Sequence, residues 1–199
     1  NKKKISALGF ELLQDKAGGL PIVNAMSELA GSLAIPIAVE YLSTANGGKG
    51  IILGGITGVP PTRVIILGAG TVAEYASRAA LGLGAEVRIF DNEIYKLRRI
   101  KHKLGNQAFT AVIDSVTLSQ SLLSADVVIG ALRAEKGRAR CVVTEEMVAS
   151  MKPGSVIIDV SIDQGGCIET SEITTHDEPV FRKFDVIHYC VPNIASRAA

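Results

Sequence analysis

Charge of one sign is what this sequence lacks most clearly. Its 21 Lys and Arg residues are balanced by 20 Asp and Glu residues, which leaves a formal net charge of +1 over 199 residues. Proteins that bind nucleic acid carry a basic surface, because contacts to phosphate dominate that affinity. The one basic run, residues 2–4, is typical of a solvated chain end. We therefore expect no nucleic-acid partner.

Cysteine is also scarce. The three residues, Cys141, Cys167 and Cys190, are odd in number and widely separated, and they form no Cys-x-x-Cys pair. A disulfide framework needs an even set, and a structural metal site needs clustered Cys or His ligands. We therefore predict reduced thiols in a reducing compartment and no metal site.

No uninterrupted apolar run is long enough to cross a bilayer, which takes about 20 residues. The apolar patch over 29–42 contains Gly31, Pro36 and Glu40. The basic start of the chain has no long apolar core behind it, unlike a signal peptide. These features predict a soluble, cytoplasmic protein with no membrane partner. The chain starts without Met and ends in Arg-Ala-Ala, so we expect a piece of something longer.

Hydrophobic residues make up 47% of the chain, enough for a sizeable core. From residue 64 onward, short apolar runs alternate with segments of helical period. Such an alternation is typical of a parallel sheet covered on both faces. We predict an α/β fold: a Rossmann-type doubly wound, mainly parallel six-stranded sheet with helices on both faces. The predicted strands are 64–67, 85–91, 107–114, 125–132, 154–163 and 185–191.

The remaining segments are predicted as helices and loops. Apolar residues three and four apart indicate a helix over 26–42, with Pro36 as a kink. Further helices are predicted over 71–81, 92–104 and 117–124, and over 144–151 with Thr144 as N-cap. The Gly-rich segment 44–61 is predicted to be a loop with short strands. Its Gly-Lys pair is followed by Gly rather than Ser or Thr, so it does not match a phosphate-binding P-loop.

A glycine pair follows the first predicted strand. Residues 68–73 read Gly-Ala-Gly-Thr-Val-Ala, a variant of the dinucleotide-binding fingerprint. Gly68 permits the tight turn, Gly70 lets the backbone approach a pyrophosphate, and Ala73 allows close packing of helix on strand. The phosphates would lie at the positive end of the helix. On glycines alone, a purely structural strand–helix turn stays open.

An acid at the expected distance supports a dinucleotide site. Asp91 directly follows the second strand, about 20 residues after Gly70, as the fingerprint requires. A carboxylate there accepts hydrogen bonds from ribose hydroxyls and repels a 2′-phosphate, so NAD is favoured over NADP. Lys96, Arg98 and Arg99 on the next helix are basic and leave that preference open. Capping of the helix that follows is an alternative role for Asp91, compatible with the first.

The stretch 150–170 contains a second candidate. Asp163 follows the fifth strand, at the sheet edge where ligands bind in open α/β folds. Its carboxylate could orient a reacting water or amine, or stabilise a developing cation. An Asp that caps a turn before two glycines is the structural alternative.

Several motifs together resemble alanine dehydrogenase along nearly the whole chain. They are MSELAG, GGITGVPP followed by VIILGAG, ALGLGA, MKPGSVIIDVSIDQGGC, TTHDEPV and HYCVPNI. The resemblance implies NAD-dependent oxidative deamination of L-alanine to pyruvate and ammonia, with hydride transfer to the nicotinamide. It also implies a homo-oligomer, commonly a hexamer. The domain division it implies is 1–24 as linker or tail of a missing substrate domain and 25–199 as the NAD-binding Rossmann domain.

The resemblance also assigns site residues by position. Asp163 matches the active-site aspartate and, with Ile162, the segment beside the nicotinamide. Asp91 matches the ribose acid and Lys96 the basic residue near the adenosine. The other cofactor-binding positions it implies are Ser27, Gly68, Gly70, Thr71, Val72, Ala131, Leu132, Val191 and Asn193.

The chain departs from the family pattern in two ways. The family's catalytic histidine and its substrate-binding lysine lie upstream of residue 1, so this chain alone is expected to bind cofactor without turnover. His102, His176 and His188 do not match that histidine and are interpreted as structural or surface residues. The charged stretch 133–140 replaces a Pro-containing one, which leaves its role and the substrate open. The related transhydrogenase alpha subunit, disfavoured by IDQGGC, and a non-catalytic NAD-sensing module are the alternatives.

Overall fold

A computed structural model describes residues 8–133, 137 and 139–198 of the chain. Within them lies one sheet of seven strands in the order β3-β2-β1-β4-β5-β7-β6. The strands are Arg63–Leu67 (β1), Glu86–Asp91 (β2), Ala108–Val112 (β3), Val127–Gly130 (β4), Val156–Asp159 (β5), Val180–Lys183 (β6) and Val186–Tyr189 (β7). All pairings are parallel except that of β6 with β7. The predicted Rossmann-like α/β architecture is therefore confirmed.

The prediction of six strands was wrong by one. Strand β6 lies at the edge of the sheet and pairs antiparallel with β7, with Lys183 opposite Val186. Two residues, Phe184 and Asp185, form the turn between the strands, with φ of 53° and 57°. Positive φ at both positions matches the right-handed twist of a hairpin, but such turns usually carry Asn-Gly. Because Phe-Asp is not a turn signal, the hairpin could not be recognised.

Five α-helices lie within the described residues; the first precedes β1, and the other four connect the strands from β1 to β5. They are Pro21–Leu42 (α1), Thr71–Gly82 (α2), Ile94–Leu104 (α3), Ser115–Leu122 (α4) and Glu145–Ala149 (α5). The hydroxyl of Thr144 accepts the N–H of Met147 at 3.3 Å, so its prediction as N-cap is confirmed. The Gly-rich segment 44–61 contains a short 3-10 helix, Thr44–Asn46, and an isolated bridge between Ile56 and Val59, and its predicted short strands are not formed.

Helix α1 begins earlier than the periodicity indicated. Pro21 occupies its first turn, where the missing N–H costs nothing, and Pro36 lies inside it. The helix packs so closely on α2 that a Cβ at Gly31 would overlap the carbonyl oxygen of Val72. Helix α1 is long and apolar enough to cross a membrane, as many core helices of soluble proteins are. Within its most apolar stretch, 33% is buried.

Two apolar cores cover the faces of the sheet. One is formed with α1, α2 and α3 and includes Ile35, Ala76 and Ile100. The other is formed with α4 and α5 and includes Leu118 and Val148. The strands supply buried residues to both, which explains their continuous apolar sequences. Burial on both faces is what a doubly wound sheet requires.

An ion cluster lies at the amino ends of β1 and β4. Asp126 accepts the ammonium groups of Lys49 at 2.9 Å and Lys152 at 3.0 Å, and the backbone N–H of Arg63 at 3.0 Å. Burial alone would raise the pKa of Asp126, but these donors outweigh it and the pKa is lowered. Lys49, from the Gly-Lys pair, therefore joins a loop to the sheet at the edge where the strands begin.

The three histidines are structural or on the surface, as interpreted from the sequence. His102 and His176 are exposed, whereas His188 on β7 is fully buried. The Nδ1 atom of His188 lies 3.0 Å from the carbonyl oxygen of Val186, which can only accept. Nδ1 therefore carries the proton, and Nε2 accepts a hydrogen bond from the hydroxyl of Thr170 at 2.8 Å. Burial lowers the pKa of His188 to about 4, so the ring is neutral in the folded protein at neutral pH.

Candidate functional site

A cavity of about 940 Å³ lies at the carboxyl ends of the central strands. The chain runs outward from β1 to β3 and then returns to β4, so the order of strands reverses between β1 and β4. Ligands in open α/β sheets bind at such a switch point. The volume is at the upper end of the range of ligand pockets, about 300–1,000 Å³, so the cavity can hold an extended ligand.

The glycine turn after β1 forms the floor of this cavity. Gly68 has φ of 110°, and a Cβ there would lie 2.5 Å from the carbonyl oxygen of Ala131. Its N–H is bonded to Phe90 O at 2.6 Å, and Ala131 N–H to Leu67 O at 2.8 Å. Only glycine fits this position, because both the backbone conformation and the neighbouring loop exclude a side chain.

The start of α2 is arranged to receive an anion. Gly70 is the N-cap and supplies no side chain, and no atom lies within 4 Å of where its Cβ would be. The first amides of α2, from Thr71 and Val72, border the cavity without a capping side chain. Glu74 is the acid in the first turn, but it is paired with Arg78 at 2.8 Å and Lys103 at 2.7 Å. A phosphate at this helix end is therefore favoured by free N–H groups and opposed little by Glu74.

Asp91 lies at the end of β2, is 5% exposed and borders the cavity. Its Oδ2 accepts the N–H of Ala69 at 2.7 Å, and its Oδ1 accepts the N–H of Glu93 at 2.8 Å. The carboxylate thus supports the glycine turn and the entry to α3, where Glu93 is the N-cap. Each oxygen has further lone pairs, so the structural role and hydrogen bonding to a ligand are compatible.

The same end of the cavity is lined by three charged side chains, those of Glu93 at the N-cap of α3 and of Lys96 and Arg99 within the helix. The Nζ of Lys96 lies 2.6 Å from Oε1 of Glu93. Arg99 donates from Nη2 to the carbonyl oxygen of Ala69 at 3.2 Å. Burial opposes protonation of Lys96, but the bond to Glu93 and the charge of Asp91 outweigh it and raise its pKa. This end of the cavity therefore contains two acids and two bases.

Asp163 lies beside the cavity in a short 3-10 helix, Ile162–Gln164, after β5. Its side chain is at the surface and does not form part of the cavity wall, whereas Ser161 and Gln164 on either side do. Partial loss of water around the carboxyl raises its pKa, against the effect of the backbone N–H groups of Gln164 and of Asp163 itself. Those backbone bonds are consistent with the turn-capping role.

A buried carboxylate fixes the loop that contains Asp163. Asp159, 1% exposed, ends β5. Its Oδ1 accepts the hydroxyl of Ser161 at 2.6 Å, and its Oδ2 accepts the N–H of Cys167 at 3.1 Å and the hydroxyl of Ser171 at 2.8 Å. These bonds span residues 161–171. The position of the loop is therefore set by one buried acid that sequence reasoning did not single out.

The segment after β4 is joined to the same loop. Ala139 N–H donates to Gln164 O at 2.7 Å, Val142 N–H to Cys167 O at 2.9 Å, and Glu169 N–H to Val143 O at 2.9 Å. Arg140 lies within this segment and lines the cavity, as does Arg133 before it. Most of the remaining charged stretch, residues 134–136 and 138, lies outside the described residues.

Nine of the residues assigned from the sequence line the cavity together: Ser27, Gly68, Gly70, Thr71, Val72, Asp91, Lys96, Ala131 and Leu132. Four others do not form its wall: Ile162, Asp163, Val191 and Asn193. Ile162 and Val191 are buried, and Asn193 is exposed at the start of a short 3-10 helix. A role for these four in binding stays a prediction.

The cavity also contains residues that the sequence did not single out for the site. They are Val23, Asn24, Ala69, Asn92, Glu93, Arg99, Arg133, Arg140, Val160, Ser161 and Gln164. Helical spacing was an available signal for two of them, because Asn24 precedes Ser27 and Arg99 follows Lys96 by three residues. No such signal exists for Arg140, whose position depends on loop pairing. Among the described residues no group of three or more His, Cys, Asp and Glu could hold a metal ion.

Comparison with known proteins gives consistent matches. The family model described as alanine dehydrogenase/PNT, C-terminal domain, matches residues 34–199. An alanine dehydrogenase from Methanococcus maripaludis is 43% identical over 99% of this chain and 53% of its own length. One from Bacillus subtilis is 42% identical over 96% of this chain and 51% of its own length. The chain thus spans about half the length of the curated relatives it matches.

Solved structures agree with the sequence matches. An L-alanine dehydrogenase has a TM-score of 0.89 and 36% identity, covering 96% of this chain and 55% of its own. A transhydrogenase from Sinorhizobium meliloti has a TM-score of 0.73 and 27% identity, covering 89% and 50%. The first similarity is the greater by both measures.

Proposed function

The chain belongs to the alanine dehydrogenase/PNT C-terminal domain family, whose members bind NAD, and we propose that it forms the cofactor-binding half of an NAD-dependent alanine dehydrogenase. The single observation that supports this most is the grouping in one cavity of the glycine turn, the uncapped start of α2 and Asp91. These groups are far apart in sequence. Their convergence at the strand switch point is what dinucleotide binding needs.

Bound NAD would contact the residues of the cavity in a defined order. The free amides at Thr71 and Val72 would hold the pyrophosphate, which Gly70 leaves room to approach. Asp91 would accept the adenosine ribose hydroxyls with lone pairs that its two backbone bonds leave unused. Ala131 and Leu132 line the cavity after β4, on the way toward the Asp163 loop.

The Asp163 loop would serve the reacting end. When bound, NAD supplies the acceptor for hydride. Asp163 would stabilise positive charge on the substrate nitrogen or orient a water, and Asp159 fixes the loop that carries it. A full-length protein would also need the histidine that moves a proton and the lysine that binds the substrate carboxylate. Both would come from the half of the relatives that this chain does not cover.

Two properties of the full-length protein belong to the same proposal. The resemblance implies a homo-oligomer, and partly exposed apolar residues of α1, Leu29 and Val39, support an interface there. A cytoplasmic location is supported by the three cysteines, which form no disulfide and of which two are buried. Light scattering of the full-length protein would test the first, since a monodisperse monomer would contradict it.

The activity itself is tested with the full-length protein, L-alanine and NAD. NADH absorbance should rise with alanine, and NADH should bind this chain alone in a fluorescence titration without turnover. NADH binding by a full-length protein that is inactive on alanine would indicate the NAD-sensing module. Hydride exchange between NADH and NADP analogues in complex with a partner subunit would indicate the transhydrogenase. Absence of NADH binding would overturn the proposal as a whole.

A further inference from the structure

The ion pair between Glu93 and Lys96 neutralises the lysine at the adenosine end of the cavity. Their charged atoms are 2.6 Å apart, and both residues line the cavity. Each side chain is about one-third exposed, so the pair is reachable from the cavity. A lysine bound in this way presents less attraction to an incoming anion than an unpaired one.

Among the basic residues at this end of the cavity, Lys96 is the one for which Glu93 and an incoming phosphate would compete. Asp91 is held by the N–H groups of Ala69 and Glu93 and carries a negative charge at the strand end. Arg99 is directed toward the carbonyl oxygen of Ala69. A 2′-phosphate placed near Asp91 would meet Asp91 and Glu93 as repulsive charges, with Lys96 engaged by one of them.

We propose that Glu93 is a residue that determines cofactor specificity, and that it disfavours NADP by holding Lys96 in an ion pair. The inference rests on the proposed function and deepens it. Asp91 alone would account for repulsion of a 2′-phosphate. Glu93 adds a second effect, because it both contributes negative charge and occupies the lysine that could otherwise bind the phosphate. Discrimination at this site is thus a property of three side chains.

The test is a calorimetric titration of NADH and NADPH into four forms of the protein. Glu93→Gln keeps the size of the side chain and removes its charge, so NADPH should bind about tenfold more tightly. NADH affinity should change less than threefold. In the double variant Glu93→Gln/Lys96→Met the gain for NADPH should be lost, because the freed ammonium is its cause. Glu145→Gln is the matched control, since it breaks the pair with Lys183 outside the cavity.

Each outcome decides the proposal. An unchanged ratio of NADPH to NADH affinity in Glu93→Gln, with NADH still bound, would overturn it and leave the proposed function intact. A gain that persists without Lys96 would also overturn it, because charge removal alone would then suffice. A large loss of NADH affinity would show that Glu93 binds the cofactor directly, again against the proposal. Failure of the unmodified protein to bind NADH would instead reject the proposed function.

Discussion

The carboxylate of Asp91 accepts the backbone N–H of Ala69 at 2.7 Å, so the end of β2 holds the glycine turn that follows β1. The bond joins positions 22 residues apart in sequence and is buried. An acid at this position is therefore part of the turn's structure before any ligand is bound. Its two roles can be separated experimentally.

Replacing Asp91 by Ala should lower both cofactor affinity and stability. Loss of charge-assisted bonds to the ribose, each worth roughly 1.5–3 kcal/mol, should weaken NADH binding about tenfold or more. NADPH should lose less, because a repulsion is relieved at the same time. The melting temperature should fall as well, because Ala69 and Glu93 lose a buried acceptor. Calorimetric titration of both cofactors and thermal unfolding measure the two effects.

Asp114→Ala is the matched control for Asp91. Asp114 likewise accepts two backbone N–H groups, from Val116 and Thr117, but it caps α4 away from the cavity. Its removal should cost about 1 kcal/mol of stability and leave NADH affinity unchanged. Equal losses of NADH and NADPH in Asp91→Ala would reduce that residue to a structural one.

Substitution by Ala should lower stability at Gly68 and cofactor affinity at Gly70. Gly68→Ala places a Cβ against Ala131 O in a left-handed conformation and should lower the unfolding free energy by about 1–3 kcal/mol or more. Gly70→Ala meets open space at negative φ, so stability should hold while the methyl group obstructs the pyrophosphate. NADH titration and thermal unfolding on the same preparations check this. A Gly70→Ala variant with unchanged affinity would move the phosphate away from the start of α2.

Asp163→Asn should lower kcat in the full-length protein and leave cofactor binding nearly intact. Loss of one electrostatic contact that strengthens toward the transition state typically costs about 2.7–4 kcal/mol, or two to three powers of ten in rate. The pyrophosphate turn and Asp91 are untouched, so NADH affinity should change little. Measurement of kcat, NADH affinity and melting temperature separates this from a turn-capping role. A stable variant with normal kcat would exclude Asp163 from the mechanism.

Acid should destabilise the protein partly through His188. Its pKa in the folded state, about 4, lies below the unfolded value near 6.5, so the neutral form is favoured by folding. The contribution is complete above pH 6.5 and is lost as pH falls from 6.5 toward 4, by roughly 2–3 kcal/mol. His188→Asn should flatten stability over that interval, measured by urea unfolding at several pH values. Exposed His102→Asn is the control, and parallel profiles for His188→Asn and the unmodified protein would contradict the expectation.

The central strands were predictable because of where they lie. Runs such as Val64–Ile65–Ile66–Leu67 are buried on both faces, and only such strands are continuously apolar. Strand β6 lies at an edge, where Arg182 is exposed and the other residues are half-buried, so its composition resembles a loop. The first turn of α1 was missed because its residues before Met26 are largely exposed and lack a buried stripe.

The lining of the cavity was predictable where its residues follow fixed spacings in the sequence. The glycine turn and Asp91 match the spacings of the dinucleotide-binding fingerprint, which a strand–turn–helix unit and the strand after it impose. Arg140 and Asp159 follow no spacing rule: one is placed by hydrogen bonds to the Asp163 loop and the other by a network that closes only in three dimensions. Such long-range bonds leave no periodic trace in a single sequence.

The hydrogen bonds that join residues 139–143 to the Asp163 loop have a mechanical consequence. Two loops that leave different strands share a ladder through Ala139, Val142 and Glu169. They are thus one body, anchored to the sheet by Asp159. A displacement of the segment that contains Arg140 would therefore be transmitted to Gln164 and to its neighbour Asp163. The guanidinium of Arg140 and the carboxylate of Asp163 would then move together and not independently.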